Sequence, residues 1–206
     1  MVFNKNKPRK RPYTLRARAR RKEEVRRRIT EATVHLHGSV GPARTTVSDI
    51  AALAGVQRAT VYNHFPTDLE LIDACSSHWF TANPPPDPAS WAGIPDPALR
   101  AVTALSAMYE YYDYGREMLE KVLRDARLVP ALEEILQQKW WPMMEGIAEI
   151  IAQTNEASEK LYATLRVALD FFTWQSLAAS GLSNHEAARL AAAWIETIRN
   201  PATENE

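Results

Sequence analysis

Gln57, Arg58, Thr60, Asn63 and His64 put two amides, a guanidinium, a hydroxyl and an imidazole within eight residues. Side chains of these types match base edges: Gln and Asn pair with adenine, and Arg pairs with guanine O6 and N7. Arg44, Thr45, Thr46 and Tyr62 suit phosphate oxygens, which fix register without specifying sequence. Ala59 falls on the same stretch and completes the ten residues expected to touch double-stranded DNA.

Such groups need a scaffold that presents them together. Residues 45–65 read TTVSDIAALAGVQRATVYNHF, the spacing of two short helices joined by a tight turn. Ala51 is small enough to let the second helix approach closely. Gly55 can take the positive φ that the turn needs. Val61 faces inward from the second helix, and Val47, Ile50, Val56 and Phe65 complete a miniature core. The polar residues from Gln57 to His64 are then left largely outward. Thr46 with Asp49 forms the capping box that starts the first of the two helices. A longer helix, about Arg18 to His37, precedes the pair; Val25, Ile29, Ala32 and Leu36 form its apolar stripe. Gly38 and Gly41-Pro42 end it. After Pro66, Thr67 and Glu70 make a second capping box for a helix over about Asp68 to Phe80, amphipathic through Leu71, Ile72, Cys75 and Trp79.

The charge pattern supports this reading. The chain of 206 residues is formally neutral, but residues 1–60 carry 15 Lys and Arg against 4 Asp and Glu, and residues 61–206 carry 10 against 21. The basic end suits a polyanion, and the acidic remainder would be repelled by it. Residues 1–17 read as a disordered basic arm: either a solvated tail, or an arm that follows the phosphate backbone or enters a minor groove. No stretch reaches the ~18 apolar residues of a membrane span, and no apolar segment follows the basic N-terminus as in a secretory signal. The single cysteine, Cys75, excludes an internal disulfide and suits a reducing cytoplasm. His35 and His37 stand two apart and point to different sides of their helix, so they do not form a metal pair. No catalytic residue, metal ligand or cofactor is assigned.

Beyond a proline-rich, partly extended stretch from Ala82 to Pro97, the pattern is helical throughout, with no strand signal. Helices are expected over about 98–114, 116–127, 130–153 with a kink at Pro142, 158–180, and from the Ser183/Glu186 capping box to about Arg199. The fold class is therefore all-α, about nine helices. It divides into a helix-turn-helix domain over 18–66, a helical domain over 67–200 and a short disordered tail over 201–206.

Residues 20–75 resemble the N-terminal domain of the TetR (tetracycline repressor) family. The resemblance rests on the helix Val25–Leu36, on Thr45 through Val56, and on Thr60-Val61-Tyr62-Asn63-His64-Phe65-Pro66. It implies an all-helical homodimer that binds a DNA operator through three N-terminal helices and is released by a small molecule held in the rest of the chain. One feature departs from the family. A lysine commonly follows the His-Phe pair by two or three residues, but Pro66-Thr67-Asp68-Leu69 stands here, leaving a phosphate contact to backbone amides.

The C-terminal half supplies the expected partners. Two apolar stripes share the 158–180 helix, one of them Leu161, Leu165, Ala168, Phe172 and Ala179. With Leu190, Trp194 and Ile198 of the last helix, that stripe is expected to build a four-helix dimer interface. Such a dimer would set two reading helices roughly 34–36 Å apart on a palindrome. Met108, Tyr109, Tyr112, Met118, Trp140, Trp141, Met144, Phe171, Trp174 and Gln175 are the expected lining of a pocket for a hydrophobic or aromatic effector. Two other readings stay open: a helical enzyme with scattered catalytic groups, although P-loop, dinucleotide and HExxH motifs are absent, and an architectural DNA-binding dimer with a filled core and no ligand.

Overall fold

The computed structural model describes residues 11–153 and 158–200, all helix and connecting turns. The first helix, α1 (Arg11–Ser39), is longer than expected. The stretch Leu15-Arg16-Ala17-Arg18-Ala19-Arg20 consists of strong helix formers, and Pro12 sits in the first turn, where a missing N–H costs nothing. Residues 11–17 of the expected arm are thus helical; residues 1–10, like the tail 201–206, lie outside the described residues. Ile29 and Ala32 of the α1 stripe are buried, and Val25 and Leu36 pack beside them.

A short 3₁₀ turn, Pro42–Arg44, leads into α2 (Val47–Ala54) and α3 (Arg58–His64). These helices close on α1 around Ile50, Ala51, Ala54, Val61 and Phe65. The next helix, α4 (Asp68–Ala82), belongs to both halves: Leu71 and Ala74 face this small cluster, while Ile72, Trp79 and Phe80 face the main core. Only half of its expected capping box forms, with the Thr67 hydroxyl accepting from the Glu70 amide.

The proline-rich stretch is not simply extended. It holds a single helical turn, α5 (Ala89–Ala92), because Trp91 inserts into the core. Then come α6 (Pro97–Tyr114), α7 (Arg116–Asp125), α8 (Pro130–Ile135) and α9 (Trp141–Ala152). Between α8 and α9 the expected kink takes the form of a π turn, Leu136–Trp140. Pro142 has no N–H and its ring crowds the carbonyl four residues back, so the turn widens to relieve it.

The 158–180 segment splits into α10 (Glu159–Ala168) and α11 (Phe171–Ala179), and α12 (Asn184–Arg199) follows. The break has a clear cause. From the C-terminal half of α6, Tyr109 donates its hydroxyl to the Ala168 carbonyl at 2.7 Å and Tyr112 donates to the Leu169 carbonyl at 2.6 Å. Two carbonyls at the end of α10 are thereby satisfied, and Asp170 starts a new helix by accepting from the Thr173 amide at 2.9 Å. Breaks of this kind, with α5, give twelve α-helical segments among the described residues instead of about nine. The same geometry corrects part of the expected dimer stripe: Leu161, Leu165 and Ala168 are buried in the core of their own chain, where α10 packs against α9 and α12. Phe172, Ala179 and Leu190 remain exposed, and Trp194 and Ile198 are half-buried.

His37, near the end of α1, is buried with its Nδ1 3.6 Å from Cys75 Sγ. Burial pushes this imidazole from 6.5 down to about 4, and Asp125 only partly opposes the shift. The folded state therefore keeps His37 neutral while the unfolded chain takes up a proton, so stability is complete above pH 6.5 and falls as pH drops toward 4. Urea midpoints measured across that window should fall for the parent chain and fall less for His37→Gln. Identical pH slopes for the two would contradict the assignment.

Candidate nucleic-acid interface

The reading face is built around a glycine. Gly55 takes φ 65° and ψ 41°, a left-handed conformation that folds α3 back across α2. Val61 and Phe65 are then 1% and 2% exposed, so the opposite face of α3 must point away. Gln57, Arg58, Ala59, Tyr62 and Asn63 are exposed, and Thr60 and His64 are half-buried. Gln57 occupies the cap position of α3, yet its side chain makes no capping bond and stays available.

Sequence reasoning missed what holds α3 in place. Arg26 of α1 donates from Nη1 to the His64 carbonyl at 2.7 Å, and its guanidinium lies 4.0 Å over the Phe65 ring. One side chain thus caps the end of α3 and stacks on its anchor. His64 is left with a buried Nδ1 that has no partner among the described residues. Burial, then the nearby charges of Lys22 and Arg26, lower its pKa against a smaller opposing effect of Glu23, which favours the neutral imidazole.

Other expected contacts prove to be scaffold. The Thr45 hydroxyl donates to the Gly41 carbonyl at 2.9 Å, and the Thr46 hydroxyl donates to Asp49 Oδ2 at 2.6 Å while accepting the Asp49 amide. Their donors hold the turn and are not free for phosphate. Arg44 is exposed beside them. The backbone amides opening α4 have Asp68 and Glu70 in the same turn, carboxylates that oppose a phosphate there.

A second junction ties this module to the helices behind it. Asp125, the last residue of α7, is 2% exposed. Its Oδ2 accepts the Ala43 amide at 3.0 Å and its Oδ1 accepts Arg124 Nε at 2.8 Å. Burial alone would raise its pKa, but the bonds from Arg124 and Ala43 outweigh it and hold the group below the ordinary carboxylate value. Gly41, at φ 95°, makes room: a Cβ there would lie 2.6 Å from Asp125 Oδ2.

Two cavities adjoin these elements. One, of about 40 Å³, lies among α1, α4, α7 and α8 and is lined in part by His37, Cys75, Met118 and Trp140. Burial pushes the Cys75 thiol up to about 12, so it acts here as a packing group. The other is an open cleft of about 770 Å³ bounded by Trp140, Trp141, Met144 and Phe171, with Arg127 and Arg166 among its polar groups. Leu136 and Trp140 of the π turn line both. Of the expected pocket residues, Met118 lines the small cavity, while Met108, Tyr109, Tyr112 and Trp174 are fully buried packing residues and Gln175 lines neither. Met108 and the two tyrosines lie in the C-terminal half of α6, and Trp174 is anchored by its indole donating to Asn184 at 2.9 Å.

The comparisons agree with this geometry. The family model described as "Bacterial regulatory proteins, tetR family" matches residues 29–75, which comprise part of α1, all of α2 and α3, and half of α4. The "HTH-type transcriptional regulator TtgR" of Pseudomonas putida is 46% identical over 52 residues, 25% of each chain. The "HTH-type transcriptional repressor Rv3405c" of Mycobacterium tuberculosis is 39% identical over 57 residues, 28% of this chain and 30% of that protein. The match thus spans about a quarter of these relatives' length. In fold the likeness extends further. A TetR-like transcriptional regulator from Rhodococcus sp. RHA1 superposes with a TM-score of 0.61 at 17% identity, covering 86% of this chain and 97% of that one. A second Rhodococcus transcriptional regulator gives 0.57 at 18% identity, covering 88% and 99%. Residues 29–75 thus match the N-terminal domain of the tetR family of bacterial regulatory proteins, and the likeness over the rest of the chain is one of fold.

Proposed function

We propose that this chain is a sequence-specific, DNA-binding transcriptional regulator: a homodimeric repressor that leaves its palindromic operator when a small hydrophobic or aromatic ligand binds. The observation that carries the reading is the outward face of α3, where Gln57, Arg58, Tyr62 and Asn63 stand exposed on a helix fixed from behind by Arg26. Arg58 pairs with guanine, Gln57 and Asn63 with adenine, and Tyr62 and Arg44 hold phosphates. The name of Rv3405c supports the direction of regulation.

The 770 Å³ cleft favours a ligand over a purely architectural role, which needs no such space. Its wall is mechanically connected. Lys139, within the π turn, reaches across to Asp73 and Ser77 of α4, and the α7 end beside the cleft carries Asp125. A ligand that prefers the arrangement with a displaced α4 releases DNA; a hundredfold loss of affinity requires a preference of about 2.7 kcal/mol. The exposed residues Val167, Phe172 and Leu190 on α10, α11 and α12 supply the dimer face.

Selection of bound duplexes from a random pool should return a palindrome whose affinity falls steeply with salt. A pool that stays random would overturn the reading. Asp125→Ala should lower unfolding free energy by about 1–3 kcal/mol by orphaning the Ala43 amide, and weaken binding to all sequences alike; an altered selected sequence would contradict its role as a joint. Sedimentation at micromolar concentration should give a dimer, and the pair Phe172→Glu and Leu190→Glu should give a folded monomer. A parent chain that sediments as a monomer would remove the dimer from the account.

A further inference from the structure

Among the described side chains, the small core engages α1 from Val25 onward, through Val25, Ile29, Ala32 and Leu36. Residues 11–24 continue the helix beyond that point, a length of about 21 Å at 1.5 Å per residue. Within it Arg16, Arg18, Arg20, Arg21 and Lys22 are all exposed. Among the described residues none of the five makes an ion pair, whereas Glu24 is bound to Arg27 at 2.6 Å. Over residues 16–24 every described side chain except Ala17 is exposed, and like charges stack four apart, Arg16 on Arg20 and Arg18 on Lys22, which works against the helix in water. An opposing polyanion reverses the sign of that term.

The orientation of the stub follows from its neighbours. Arg26 bonds to the end of α3, and the Lys22 charge reaches His64 there. Stepping back by four, Arg18 continues the Arg26–Lys22 row, and Arg21 stands beside Arg18 three residues on, so the row leaves the domain from the edge of the reading face. Residues 11–28 also lie outside the stretch that the tetR-family model matches.

We propose that this row, Arg18, Arg21 and Lys22 with Arg16 and Arg20 beside it, is a second DNA surface that grips the phosphate backbone flanking each half-site without reading bases. The proposal rests on the reading that α3 binds duplex DNA. Duplex DNA presents a charge about every 1.7 Å of axis, so a helix of about 21 Å has ample phosphates within reach. The excess of acidic groups after residue 60 leaves the basic N-terminal part as the favourable face for them.

The test uses the full chain and its triple variant Arg18→Gln, Arg21→Gln, Lys22→Gln. Binding is measured across a salt series on the selected operator, with flanks of about one helical turn and without them. Each lost phosphate contact flattens the plot of log affinity against log salt by about 0.9, so the variant should lose up to about 2.7 per protomer on the flanked duplex. The parent should lose a similar slope when the flanks are removed, the variant should be indifferent to them, and both should select the same sequence. A control with Arg18→Lys and Arg21→Lys keeps the charge and should keep the parent's slope, and unchanged thermal midpoints exclude misfolding. Equal slopes for parent and triple variant, or equal losses on both duplex lengths, would overturn the clamp while leaving α3 as the reader. A parent chain that binds no duplex would overturn the clamp and the DNA reading together.

Discussion

A helix of seven residues does not hold its shape alone in water, because nucleation costs more than so few bonds return. The reading face of α3 therefore depends on what fixes it from outside, and that is Arg26. Its bond to the His64 carbonyl satisfies the open end of the helix, and its stacking on Phe65 pins the residue that anchors α3 to the core. A cation–aromatic contact of this kind contributes about 0.5–2 kcal/mol, and a buried Phe about 1.5–3 kcal/mol. Those terms are large enough to keep one orientation of Gln57, Arg58 and Asn63 dominant before any DNA arrives, which lowers the ordering cost of binding.

Arg26 sits near the middle of a 29-residue helix, and this makes α1 the common member of the molecule. On one side of Arg26 the helix carries exposed arginines; on the other it runs to His37 and the Gly41–Ala43 turn, where Asp125 of α7 takes hold. α4 packs along it and shares its residues between the two hydrophobic clusters. α4 and α7 thus both pack on the helix whose Arg26 holds α3. The cleft lies behind the π turn that Pro142 imposes.

Much of this was legible in the sequence because local rules decide it. The Thr46/Asp49 and Ser183/Glu186 boxes form as their spacing implies, Gly55 takes the positive φ, and Val61 and Phe65 turn inward. What periodicity could not supply were partners distant in the chain. Arg26 reads as one more residue of a basic run until Phe65, far along the chain, lies beneath it. The α10–α11 break is invisible in 158–180 because its cause is two tyrosines of α6. For the same reason an apolar stripe alone does not tell an internal face from an intersubunit one, and Leu161, Leu165 and Ala168 belong to the internal one. The pocket lining is ambiguous in the same way: Met and aromatic enrichment marks both a core and a cavity, and only packing separates Tyr109 and Trp174 from Trp141 and Met144.

The central claim is that α3 reads base edges, with Arg58 as one of the readers. The most direct measurement is the binding preference of Arg58→Ala at every operator position, compared with that of the parent chain. The account predicts that preference relaxes at one position in each half-site, with a loss of about 1–3 kcal/mol for the favoured base and the other positions unchanged. A uniform loss over all sequences would show that Arg58 holds phosphate, and would contradict the claim.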